Sequence, residues 1–302
     1  MALLKEIWIQ DIQENLFPQS SFLTRSVDDS GYASFKTIHV PQAGSNPGVS
    51  LNRSSLPATP AQRTDADFTY NVDQFTTDPI LITDLESAQI SYNKRQSITG
   101  QHLEVLTQRV GDQTLVNWAP ATTKIVRTTG NPDGSALAPL ATGTRKLPTA
   151  TDFAALAASL DADNVPRQGR ILLMNPFMYA QLFTINGFTT ANAFGKTTLP
   201  EGIMDRVFGF DIMVRPGALV YDSTPALKAF GAAGAATDNL AALAWHPSFV
   251  SRALTGIDIF SDFGDNGNGK PEYYGGILSA KVWFGAKYRR ADVKGVAALV
   301  QG

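Results

Sequence analysis

Residues 41–63 read PQAGSNPGVSLNRSSLPATPAQR. The run is dense in Pro, Gly, Ser and Asn and has almost nothing to bury. Strand-like sequence flanks it. Residues 32–40 read as one strand, and Phe68, Tyr70 and Val72 then alternate with Thr69, Asn71 and Asp73 as a returning one. The pattern predicts a β-hairpin whose tip exceeds 20 residues. Tips of that length are uncommon in compact domains and are usually functional or disordered. An ordered tip with no core of its own needs another surface to rest on. The obvious one is a second copy of the chain.

The rest of the chain has material for a core. It has 302 residues, of which 43% are hydrophobic and 17% charged, a globular balance with a lightly charged surface. At net charge -2 and pI about 5.9, bulk charge does not hold it to nucleic acid. It has no cysteine, which excludes disulfides, zinc–cysteine sites and thiol nucleophiles. No apolar run is long enough to span a membrane. The start of the chain has acids within its apolar stretch and does not read as a signal peptide.

In that start, Leu3, Leu4, Ile7, Trp8, Ile12 and Leu16 recur at helical spacing up to Pro18. This predicts an amphipathic helix, either packed on its own domain or laid as an arm on a neighbour. Residues 83–118 read as one long helix, with Thr83 as its cap and Leu103, Leu106 and Val110 on one stripe. A shorter helix starts at Thr151 and Asp152, and 164–166 end it. Then come a buried strand at 171–174, a helix capped by Asn175 and opened by Pro176, and strands at 210–214 and 243–245. Pro247 opens a short helix. Residues 217–239 read as loop. Leu278, Ala280, Val282, Phe284, Ala286 and Tyr288 alternate with polar or small residues, which marks the return strand of a C-terminal hairpin.

No motif for chemistry is complete. Phe194-Gly195-Lys196-Thr197 resembles the end of a phosphate loop, but Thr190 stands where that loop needs a glycine. Asp262, Asp265, Asn266 and Asn268 suggest a calcium loop, but Gly264 and Tyr273 occupy ligand positions, so a tight turn fits better. His39, His102 and His246 form no helical pair for a metal. Lys287, Arg289, Arg290 and Lys294 read as a solvated basic face, and Arg167 and Arg170 are left for pairing between subunits. No catalytic, cofactor-binding or metal residue is assigned, and no cofactor is expected.

The order of parts resembles the major capsid protein of tailed bacteriophages, the Hong Kong 97-type fold. The matching segments are Phe153-Ala154-Ala155-Leu156 with Leu160, Val165-Pro166 with Gly169-Arg170, Ile171 to Pro176, Gly202-Ile203 with Gly209-Phe210, Ala244-Trp245-His246-Pro247 and 288–296. The resemblance implies an α+β fold: an N-terminal arm (1–25), an extended β-hairpin loop (26–77), a peripheral domain with a long spine helix (78–146 and 255–302) and a compact axial domain (147–254). It implies a structural protein, not an enzyme. Many copies, as hexamers and pentamers, would assemble in the host cytoplasm into the icosahedral head of a virion. Double-stranded DNA would lie inside without sequence-specific contacts; scaffolding, portal and decoration proteins are the further partners, and no membrane is involved. The alternatives are an encapsulin-like nanocompartment shell, or a monomeric α+β enzyme or binding module.

Overall fold

Residues 278–286 do what their alternation requires. Leu278, Ala280, Val282, Phe284 and Ala286 are all buried, on one face of a strand running Gly275–Tyr288. In the computed structural model of the chain the described residues are 21–32, 36–44, 46–54, 57, 60, 62–83, 94–183, 185, 206–217, 219–262 and 274–302. The predicted N-terminal helix before residue 21, the phosphate-loop look-alike at 194–197 and the turn at 265–268 lie outside them.

Among the described residues the strands are β1 (Val27–Asp28), β2 (Thr37–Gln42), β3 (Ala66–Asn71), β4 (Asp73–Thr76), β5 (Ile80–Thr83), β6 (Ile125–Arg127), β7 (Pro132–Asp133), β8 (Arg145–Lys146) and β9 (Arg170–Met174). They continue as β10 (Arg206–Val207), β11 (Phe210–Val214), β12 (Leu219–Tyr221), β13 (Asn239–Trp245), β14 (Val250–Leu254), β15 (Asp258–Asp262), β16 (Gly275–Tyr288) and β17 (Val296–Val300). The α-helices are α1 (Lys94–Trp118), α2 (Ala150–Ala162) and α3 (Pro176–Leu182). This is an α+β chain.

One sheet centres on β16. On one side β16 pairs with β14 and β15, and β1 adds beyond β14; on the other it pairs with β4 and β5. The long helix α1 covers its apolar face through Leu106 and Val110. The other sheet runs β10-β11-β9-β13-β17-β6, with β12 also on β13. Every residue of β9, β13 and β17 is buried, as expected where both faces are covered. Helices α2 and α3 cover one face, through Phe153, Leu156, Leu160, Met178 and Leu182. The two sheets share a core at Phe22, Trp118 and Trp245, whose rings meet at 5.6–6.4 Å. Each indole N–H finds a carbonyl: Trp118 donates to Ser251 and Trp245 to Arg25.

Caps and turns follow local rules. The Asn175 side chain accepts from the Phe177 N–H at 2.9 Å, and Pro176 opens α3. Asn164 takes a positive φ of 57° after α2, a conformation asparagine tolerates better than most residues. Asp152 is buried and accepts from Thr149 N, Thr129 N and Thr129 Oγ1 at 2.7–3.0 Å. It thereby ties α2 to the loop after β6.

Three expectations change. Thr83 does not cap a helix; it ends β5, which pairs with β16, and the helix is described only from Lys94. The run Ile80-Leu81-Ile82-Thr83, β-branched at every position but Leu81, serves a strand better than a helix. The loop expected at 217–239 contains β12 and leads directly into β13. Finally, β17 was not anticipated. With β6 it brings 296–300 and 125–127 into the sheet built on 170–245, although the division by sequence had put both with the long helix.

Candidate assembly surfaces

The expected hairpin forms. Strands β2 and β3 pair antiparallel from Thr37↔Asn71 to Gln42↔Ala66. Beyond them the two backbones stay close, with Gly44 N donating to Asp65 Oδ1 at 2.9 Å. A Cβ on Gly44 would lie 1.9 Å from the Thr64 carbonyl oxygen, so glycine is required there. Every described residue from 46 to 65 is exposed. Val49 and Leu51 are 96% and 91% exposed, two apolar side chains at the far end with no partner surface among the described residues.

The hairpin's base, by contrast, is fixed. Ile38, Val40, Tyr70 and Val72 form a small core with Ala253. The Tyr70 hydroxyl donates to Asp29 at 2.9 Å, and Arg289 reaches the same carboxylate at 3.2 Å. Burial pushes the Tyr70 hydroxyl well above the usual phenol range. Gln42 Nε2 donates to the Arg289 carbonyl, and Phe68 stacks on Tyr288 at 5.7 Å. At Gly285 a Cβ would sit 2.6 Å from the Asn71 carbonyl oxygen. Glycine there lets the hairpin cross close over β16.

A second exposed surface lies on the β16 sheet, on the face away from α1. The register puts Trp283, Phe260 and Leu81 on that face, each more than a third exposed. Lys281 lies 4.9 Å from the Phe260 ring centroid and 3.6 Å from Asp258. Exposed apolar clusters of this kind mark interaction sites more often than scattered single residues do.

The polar residues singled out in the sequence take structural places. Arg167 and Arg170 both bind Asp161 of their own chain, at 2.7 and 2.6 Å. Both arginines thus have a partner within the chain: Asp161 lies near the end of α2, Arg167 in the turn that follows and Arg170 at the start of β9. The Arg167 guanidinium first, then that of Arg170, holds the Asp161 carboxyl below its usual range. The basic cluster is largely compensated as well. Arg289 is on Asp29, Arg290 and Lys294 are on Asp292, and Lys287 lies 4.8 Å from the Phe68 ring centroid. Hydrogen bonding from Arg290 pushes Asp292 down to about 2. His39 binds Asp67, His246 accepts from Ser248 N, and His102 is buried on α1. Asp262 is the last residue of β15. Among the described residues no group of three or more His, Asp or Glu could hold a metal.

No family model and no curated protein matches the sequence. Solved structures match along nearly all of it. The capsid of cyanophage P-SCSP1u superposes with a TM-score of 0.71 at 17% identity, covering 98% of this chain and 92% of that one. The capsid asymmetric unit of cyanophage Pam1 gives 0.71 at 10% identity, over 99% and 96%. The acid-stable capsid of Helicobacter pylori bacteriophage KHP30 gives 0.70 at 11%, over 98% and 95%.

The chain has the phage capsid fold. At such identities few side chains are shared between chains of this fold. The two exposed apolar surfaces stand on this fold, and neither is covered among the described residues.

Proposed function

We propose that the chain is the structural major capsid protein of a tailed phage, which self-assembles into the icosahedral shell of the virion head. The observation that carries this reading is the fold match along 98–99% of the chain to capsid structures. The projecting hairpin supports it, since β2 and β3 are anchored at the base while every described residue from 46 to 65 is exposed. In this reading the hairpin lies across a neighbouring copy in hexamers and pentamers. Helix α1 is the spine of the peripheral part, the sheet around β9 and β13 is the core of the axial part, and assembly takes place in the host cytoplasm. The shell encloses double-stranded DNA without sequence-specific contacts, in keeping with a net charge of -2; scaffolding, portal and decoration proteins complete the head. The role is structural and not enzymatic.

The test is assembly. The full chain, expressed with its scaffolding partner where the phage encodes one, should give shells tens of nanometres across in negative-stain electron microscopy. A chain that stays monomeric at every concentration under those conditions overturns the reading. Shells from infected cells should hold DNA; shells that hold a cargo enzyme instead identify a nanocompartment. Replacing residues 43–65 with a two-residue Asn-Gly turn, which suits a hairpin, should leave the circular dichroism spectrum unchanged and abolish shells. Normal shells from that variant would refute the role given to the hairpin.

A further inference from the structure

Strand β2 has one open edge. Its partner β3 lies on one side, and no described residue pairs with the other. The register says which groups face that edge. The Val72 N–H donates to the Lys36 carbonyl at 2.9 Å, so these two residues form a hydrogen-bonded pair. Such pairs recur at every second residue, which turns the backbones of Ile38, Val40 and Gln42 toward β3. Those of Thr37, His39 and Pro41 therefore face outward. Pro41 suits the place, since a proline on an open edge gives up no ladder bond. A groove of about 390 Å³ runs beside the edge, lined by Thr37, His39 and Pro41 together with Asp29, Tyr32 and Arg289. An open edge beside a groove can take an extended segment as a further strand.

The chain also carries a strand suited to such an edge. β15 ends its side of the β16 sheet, and all of its residues are exposed. No other strand whose residues are all described is exposed throughout. The Ala280 carbonyl accepts from Thr77 N on the β4 side, and the Trp283 carbonyl accepts from Thr255 N on the β14 and β15 side. Odd-numbered residues of β16 thus face β15, and Asp258, Phe260 and Asp262 stand opposite them. The backbones of Ile259 and Ser261 are left facing outward. Thr37 and His39 on one edge, and Ile259 and Ser261 on the other, each present an N–H and a C=O.

We propose that β15 of a second copy adds to the open edge of β2, antiparallel, with His39 opposite Ile259 and Thr37 opposite Ser261. Each of these pairs exchanges both backbone bonds. The register leaves Pro41 opposite Ile257, outside β15. It sets Lys36 opposite Asp262, an opposite-charge pair of the kind that stabilises adjacent strands. Asp258 falls opposite Val40, next to Gln42, whose side-chain amide reaches Arg289 of the groove. The acids at the two ends of β15 thus meet the cationic ends of the edge. Because the two edges differ, the contact is head to tail and repeats from copy to copy. The inference rests on the assembly reading and names one contact within it.

The chain has no cysteine, so introduced ones report without background. Hydrogen-bonded antiparallel partners stand about 5.5 Å apart at Cα, which a disulfide can span. Thr37→Cys with Ser261→Cys, mildly oxidised under the conditions that give shells, should yield a ladder of disulfide-linked oligomers. Thr37→Cys with Thr76→Cys, the second on β4, should stay monomeric; a ladder from that pair as well would overturn the choice of β15. Shells without a ladder from the first pair overturn the edge contact and leave the capsid reading standing. If the unaltered chain gives no shells, the capsid reading falls, and oxidation of the concentrated first pair decides the contact: a ladder supports it and no ladder overturns it. Disulfide-linked dimers from His39→Cys alone would mean that two β2 edges pair with each other, and would also overturn it. Where the cysteine pair disturbs the fold, Ser261→Pro decides. It removes an outward N–H and no bond within the sheet, so the circular dichroism spectrum should stay and the shells should be lost. Normal shells from it overturn the proposal.

Discussion

His102 sits on the buried side of α1 between Ile98 and Leu106, at 5% exposure, and its Nε2 has no hydrogen-bond partner among the described residues. Burial holds the imidazole below its ordinary value. The sign follows from linkage. A base with a depressed folded pKa contributes stability that is present above about pH 6.5 and is lost as the unfolded chain takes up protons below it. His246 is depressed for the same first reason, its burial, and adds to the same slope. His102→Leu should therefore raise the urea midpoint at pH 7.5, by an amount equivalent to about 1–2 kcal/mol, since it removes a buried polar atom that makes no bond. It should also reduce the loss of stability between pH 7.5 and 5.5. An unchanged pH slope would mean that His102 is solvated in the native state.

The hairpin and β16 meet at one point where only glycine fits. A Cβ on Gly285 would meet the Asn71 carbonyl oxygen at 2.6 Å and the Val72 and Tyr70 side chains at 3.2 and 3.3 Å. Gly285→Ala should lift the hairpin base from the sheet. In hydrogen exchange the amides of β2 and β3 should become faster, while those of β13 and β17 keep their protection. Overpacking costs about 1–3 kcal/mol, enough to open a small satellite core but not the main one. Uniform exchange in both regions would show that the hairpin is not a separate unit. Elements of this size differ in how much of them the sequence discloses. Strand β16 was legible because only one face is buried, which imposes period two. So was the Asn175-Pro176 helix start, because capping is local. Strand β17 was not: Val296-Ala297-Ala298-Leu299-Val300 is covered on both faces, and without alternation it resembles any short apolar run. Thr83 was read as a helix cap because no proline separates it from the amphipathic run that follows in the sequence. The Asp161 clamp was missed because its arginines lie in the turn after the helix and at the start of β9, and spacing alone does not say that the turn folds back.

At the scale of the molecule, one ion pair joins the two halves. Asp112 of α1, the helix over the β16 sheet, binds Arg215, which follows β11 of the other sheet. Arg215 is 1% exposed, and its backbone N–H donates to the Met174 carbonyl at the end of β9. Its guanidinium also lies near Phe22, so the pair stands at the shared aromatic core. Such a pair is poor evidence of net stability, since taking both charges out of water cancels much of their attraction. Its removal by halves is another matter. Asp112→Ala leaves a buried guanidinium without its counter-charge and should cost about 3–5 kcal/mol. The double variant Asp112→Leu with Arg215→Met, similar in volume and apolar, should recover most of that loss. Urea denaturation of the three chains measures both changes. A double variant no more stable than Asp112→Ala would mean that the ion pair fixes the approach of α1 to the second sheet through geometry that apolar packing cannot replace.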